Sequence, residues 1–218
     1  MTTSIQRRTL GRWALSATLV LSGAASMAPV WAADEAPDAL VKRLSTEVLS
    51  TIKADASIKA GDVNKIMALV DTLIMPNVNF QRMTASAVGP AWRQATPEQR
   101  TRLQQEFKSL LVRTYAGALD QVSDQEVAIR PFRGAAADKE VLVQSEIRGR
   151  GDPIQLDYRL EKTPGQGYGW KVYNLNVMGV WLVETYRTQF SQEINSKGVD
   201  GLIASLAARN KANAGARS

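Results

Sequence analysis

The chain has 218 residues, 44% of them apolar and 22% charged, with no cysteine, no histidine and a formal net charge of +6. The two absences exclude disulfides, Cys/His zinc sites, thiol nucleophiles and every mechanism that needs an imidazole base. The positive charge raises nucleic acid or a membrane surface as partners until the charges are placed along the chain.

The first segment reads as a secretory signal peptide, residues 1–32. Arg7, Arg8 and Arg12 form a basic end, and no charge occurs from Trp13 to Ala28. Pro29 follows, then Val30-Trp31-Ala32, with small residues where a signal peptidase reads. The apolar run is shorter than the ~20 residues a spanning helix needs. Cleavage after Ala32 puts the rest of the chain in an extracytoplasmic compartment, where it must be stable without disulfides.

The spacing then predicts helices. Leu40, Val41, Leu44, Val48, Leu49 and Ile52 recur every three or four residues. Val63, Ile66, Met67, Val70, Leu73 and Ile74 form a second stripe, stopped by Pro76. A short helix is expected from Asn79 to Ala87. Thr96-Pro97-Glu98-Gln99 is a strong helix start: Thr96 can cap, Pro97 fits the first turn, and Gln99 can close a capping box. It opens the longest predicted helix, with Leu103, Phe107, Leu110, Leu111, Tyr115 and Leu119 on one stripe.

From Val127 the period changes to two. Val141, Val143, Ser145 and Ile147 alternate with polar neighbours, as do Ile154, Leu156, Tyr158 and Leu160. Gly149-Arg150-Gly151-Asp152-Pro153 and Thr163-Pro164-Gly165-Gln166-Gly167 read as hairpin turns. Trp170 and Val172 sit on one parity, Leu175 and Val177 on the other, which predicts a bulge near Tyr173-Asn174. A helix is expected from about Val180 to Gly198, then a short one, with a disordered tail over 209–218. The fold class is α+β. A helical part over 37–122 precedes a curved four-stranded antiparallel sheet over 125–178 and C-terminal helices over 180–208. The long helix is expected to cover one face of the sheet.

The familiar catalytic patterns are missing. There is no G-x-S-x-G elbow, no P-loop and no dinucleotide glycine pattern. Gly165 to Gly169 joins two strands and reads as a turn, as does Arg150-Gly151-Asp152. Glu146, Asp157 and Glu161 lie on the parity opposite the apolar residues, which predicts a solvent face. Asp120, Asp124 and Glu126 match no calcium loop. The apolar sheet face and the helix stripes meet from opposite sides, and periodicity leaves open whether they close into a core or surround a cavity.

Several segments together carry a resemblance. They are Pro76 to Met83, Gly89-Pro90-Ala91-Trp92 running into Thr96 to Arg100, Ile154 to Leu160, Gly169 to Asn174, Gly179 to Phe190 and Gly198 to Ile203. In this order and spacing the chain resembles the MlaC family, also called the toluene-tolerance (Ttg2) auxiliary family, over roughly Leu40 to Leu206. The resemblance implies a nuclear transport factor two-like fold around an apolar pocket. It implies a periplasmic phospholipid carrier that is not an enzyme and needs no cofactor beyond the bound lipid. It also implies partners: an outer-membrane lipoprotein complex and an inner-membrane ABC transporter complex with its lipid-binding subunit. The family usually has Asp at the positions of Asn79 and Asn174, which read here as structural.

On this reading the expected pocket residues are Tyr115, Val143, Ile147, Leu156, Tyr158, Trp170, Val172, Leu175 and Tyr186, with Arg82 and Arg148 as candidates for the phosphate. The alternatives are an isomerase- or dehydratase-type enzyme with an acidic base in the pocket, and an adaptor with a filled core. The charge count points away from nucleic acid. The leader holds three arginines and no acid, and the tail after Ala208 holds Arg209, Lys211 and Arg217. Between Ala33 and Ala208 the 21 basic and 21 acidic residues cancel.

Overall fold

A computed structural model describes residues 35–135 and 137–215. The signal peptide expected over 1–32 lies outside the described residues. Helix α1 (Pro37–Ala54) starts on a proline and ends at Asp55. The Asp55 carboxylate accepts from the Ser57 and Ile58 amides and so caps the short α2 (Ala56–Lys59). Asp62 caps α3 (Val63–Leu69) in the same way. A π-helical turn (Val70–Ile74) and a 3-10 turn (Met75–Asn77) close this stripe at Pro76. Asn79 caps α4 (Phe80–Val88) by accepting from the Arg82 amide. The four-residue α5 (Ala91–Gln94) leads to α6 (Pro97–Tyr115). The capping box of α6 is complete, with Thr96 and Gln99 each bonding the other's backbone.

The sheet is antiparallel throughout, in the order β1 (Glu126–Ile129), β2 (Glu140–Arg148), β3 (Ile154–Lys162), β4 (Trp170–Val177) and β5 (Val180–Trp181). Five strands therefore replace the four expected. Two residues are too few to show a period, so β5 was invisible in the sequence. The bulge falls where the parity change put it. Arg159 pairs with Asn174 and Leu160 with Val172, which leaves Tyr173 as the extra residue on β4.

Helix α7 (Leu182–Gly215) is two helices joined at Gly198, whose φ of 70° suits glycine. It does not stop at Ala208. The described part of the tail expected to be disordered, residues 209–215, runs on as helix, because Asn210 is buried and its amide donates to the Glu106 carbonyl at 3.0 Å and carboxylate at 2.8 Å. Arg209 also pairs with Glu193. The long helix does not lie flat across the sheet as expected. Helix α6 packs chiefly on α3, α4 and α7, while α1, α4 and α7 supply the main contacts to strands. None of the described helices is long and apolar enough to cross a membrane.

Candidate functional site

The strand register sorts one sheet face into rows. Val141, Leu160 and Val172 form the first, and Val143, Tyr158 and Leu175 the second. Ser145, Leu156 and Val177 form the third, and Ile147 and Ile154 the last. Along β3 exposure rises through this series, from inaccessible Leu160 through half-buried Tyr158 and Leu156, while Val143 and Ser145 on β2 stay fully buried. The first row is nearly inaccessible, whereas Ile154 is 38% exposed. Every strand side chain in these rows is apolar except Ser145 and Tyr158, whose hydroxyls bond the Leu156 carbonyl and Ser45, so this face can bury hydrocarbon.

Packing explains the gradient. Leu40 and Val41 of α1 close down on Val141, Val143, Leu160, Trp170 and Val172, a cluster of buried side chains. The start of α1 is held there by the Glu35 amide, which donates to the Tyr168 carbonyl, and by the Arg43–Glu35 pair at 2.7 Å. A second cluster joins α4, α6 and α7 around Phe107, whose ring meets Tyr186 edge-on at 5.0 Å and Phe190 at 5.2 Å. Leu111, Leu175 and Val177 are its half-buried fringe. A third joins the end of α1 to α2, α3 and the end of α6, with Val48, Val70, Leu73 and Ile74 as fringe.

A domain of this size normally has one contiguous core. Here the buried apolar side chains fall into three packed clusters, each fringed by half-buried ones, and the half-buried strip of the sheet face forms a seam at the edge of the packing. Ile147 and Leu156 lie on the same face as Val143 and Leu160, yet none of the three clusters includes them. This seam is the candidate site.

The expected residues divide accordingly. Val143, Trp170 and Val172 are packed under α1. Ile147, Leu156, Tyr158 and Leu175 are half-buried along the seam. Tyr186 is buried in the aromatic cluster. Tyr115 ends α6 and is 38% exposed, close enough to Tyr186 that their phenols interact electrostatically. Burial pushes the phenols of Tyr115, Tyr158 and Tyr186 up from their ordinary values, so all three stay neutral. The Tyr158 hydroxyl bonds that of Ser45 on α1 at 3.2 Å. Sequence reasoning missed Ser45, since a serine on a helix carries no signal of a partner 113 residues away.

The charged candidates are already engaged. The Arg82 guanidinium pairs with Glu140 at 2.6 Å and with Glu161 at 2.5 Å. Arg148 pairs with Glu146, which also holds Arg130. Asp157 corrects the expectation of a solvent face: it is 5% exposed, and Gln155 donates to its Oδ2 at 2.8 Å. Its register neighbours are Gln144 on β2 and Asn176 on β4, and Asn176 in turn pairs with Trp181 of β5. Asp157 shares its face with Gln144 and Asn176, the face turned away from the seam. Asn174 is structural, as expected: its Oδ1 accepts from the Leu175 and Val183 amides and its Nδ2 donates to Glu184. An aspartate there would face the Glu184 carboxylate with no donor.

The sequence model of the MlaC protein family matches residues 42–208. The toluene tolerance protein Ttg2D of Pseudomonas putida is 28% identical over 170 residues, 77% of each chain. The intermembrane phospholipid transport system binding protein MlaC of Haemophilus influenzae is 26% identical over 176 residues, 80% of this chain and 82% of its own. A solved structure, the phospholipid-binding protein from Ralstonia solanacearum in complex with a phospholipid, is 48% identical. It superposes with a TM-score of 0.77 over 81% of this chain and 98% of its own.

Proposed function

Because this chain belongs to the MlaC family, we propose that it is a periplasmic phospholipid carrier that holds acyl chains in the half-buried seam of its sheet face. The observation that carries this reading is the row series on the sheet. Apolar side chains that a closed core would bury stay half-accessible at Ile147, Ile154 and Leu156. The phospholipid bound by the Ralstonia relative, at 48% identity, supports the same ligand class.

The physical logic is that of hydrocarbon in water. Each methylene moved into an apolar site gains about 0.8 kcal/mol, so a two-chain lipid does not cross an aqueous gap alone at a useful rate. A carrier needs an apolar site and a polar exterior. In this proposal the leader exports the protein, and it shuttles lipid between an outer-membrane lipoprotein complex and an inner-membrane ABC transporter complex, maintaining lipid asymmetry of the outer membrane. No bond of the lipid is broken, so no catalytic group is called for.

Native mass spectrometry of protein recovered from the periplasm tests the reading. The expected result is a protein peak carrying the mass of a phospholipid. Recovery of lipid-free protein only, from cells that make phospholipid normally, overturns it.

A further inference from the structure

We propose, on the reading that the protein carries phospholipid, that Tyr158 and Ser45 together form the depth stop for the acyl chains and so set the chain length it prefers. The row series shows where a chain can run. Beyond Tyr158 the face is sealed, since Val141, Leu160 and Val172 in the next row are buried in one cluster with Leu40 and Val41. On the other side of Tyr158 the large side chains Leu156 and Ile147 are half-buried and Ile154 is exposed, while the small Ser145 beside Leu156 is buried and donates to the Leu156 carbonyl. Along β3 the change from inaccessible Leu160 to half-buried Leu156 falls at Tyr158.

Tyr158 is fixed in that place from both sides. Its ring stands on the central strand between Val143 and Leu175. Its hydroxyl reaches across to α1 and bonds Ser45 at 3.2 Å. Ser45 lies one helical turn from Val41 and next to Leu44, which packs against the sealed cluster. The pair thus bridges sheet and helix just where the packed cluster ends, and a terminal methyl arriving along the sheet meets an aromatic ring backed by a hydrogen bond.

A stop of this kind discriminates by length. A chain that reaches the ring buries every methylene, and each one that fits adds about 0.8 kcal/mol, or about fourfold in relative occupancy. A longer chain must leave methylenes in water at the mouth. Shortening the stop should therefore admit longer chains, and enlarging it should exclude them.

The test is the chain composition of phospholipid that co-purifies with the full-length protein, read by mass spectrometry. Tyr158→Ala is expected to move the distribution toward longer chains, by about fourfold enrichment for each added methylene accommodated. Ser45→Leu adds bulk at the same point on a helix that tolerates leucine, and is expected to move it toward shorter chains. If Tyr158→Ala fails to fold, Ser45→Leu decides alone. Lipid-loaded wild type with unchanged chain lengths in the folded variants overturns the stop and leaves the carrier reading standing. Lipid-free wild type overturns both.

Discussion

The Arg82 guanidinium lies over the Tyr173 ring, 3.6 Å from its centroid, and both side chains donate to one carboxylate, Glu140. Tyr173 is the bulged residue of β4. The extra residue therefore aims a ring at the first turn of α4, and Arg82 ties that helix to β2 and β3 through Glu140 and Glu161.

Replacing Arg82 tests whether this junction is structural. An exposed ion pair contributes at most about 1 kcal/mol, whereas breaking a buried one costs about 3–5 kcal/mol. The Arg82 side chain is 32% exposed. Arg82→Ala is therefore expected to lose about 2 kcal/mol in urea denaturation, with lipid loading unchanged in the folded protein. Loss of lipid with unchanged stability would return Arg82 to the role of phosphate ligand.

The same junction predicts an acid response. Hydrogen bonds from Arg82 and then Tyr173 hold the Glu140 carboxyl below its ordinary 4.5. A depressed folded value means that the contribution is fully present above the unfolded value and is lost as pH falls through the folded one. Stability should hold from pH 7 to about 4.5 as far as Glu140 is concerned, then fall. Glu140→Gln should be less stable than wild type at pH 7 and should show a shallower decline below pH 4.5. Parallel curves of denaturation midpoint against pH would exclude Glu140 as a source of the decline.

Asn210 anchors the last helix. Its two hydrogen bonds to Glu106 are the tether that holds the polar tail in place. Asn210→Ala is expected to cost about 1–2 kcal/mol and to raise amide exchange over residues 209–215 more than elsewhere. Uniform exchange across α7 would show that the tail is held by other contacts.

Met178 has a φ of 51° and is 68% exposed, at the turn between β4 and β5. A left-handed conformation costs a residue with a Cβ about 1–2 kcal/mol, and no packing offsets it here. Met178→Gly is expected to gain about 1 kcal/mol, seen as a higher melting temperature. A lower melting temperature would mean that the exposed thioether makes a contact that matters for folding.

What the sequence reveals depends on how local the cause is. The bulge at Tyr173 is legible because parity is written into consecutive residues. The capping box at Thr96 and Gln99 and the break at Gly198 are legible for the same reason. The anchored tail is not, because Asn210 meets a residue 104 positions away and its alanine-rich neighbourhood favours helix while lacking an apolar stripe. Asp157 misleads because alternation names a face and cannot say what covers it. The candidate site shows both cases. Val143 and Ile147 have the same periodicity, and only the placement of Leu40 and Val41 makes one sealed and the other open.

A core divided into three has a thermodynamic consequence for a carrier. An acyl chain lying along the half-buried strip of the sheet would complete the interior as an added side chain does. Cargo and fold are then coupled: the loaded protein is stabilised by the free energy of binding, and delivery requires the acceptor to offset that loss. A melting curve taken with and without lipid would read the strength of the grip directly.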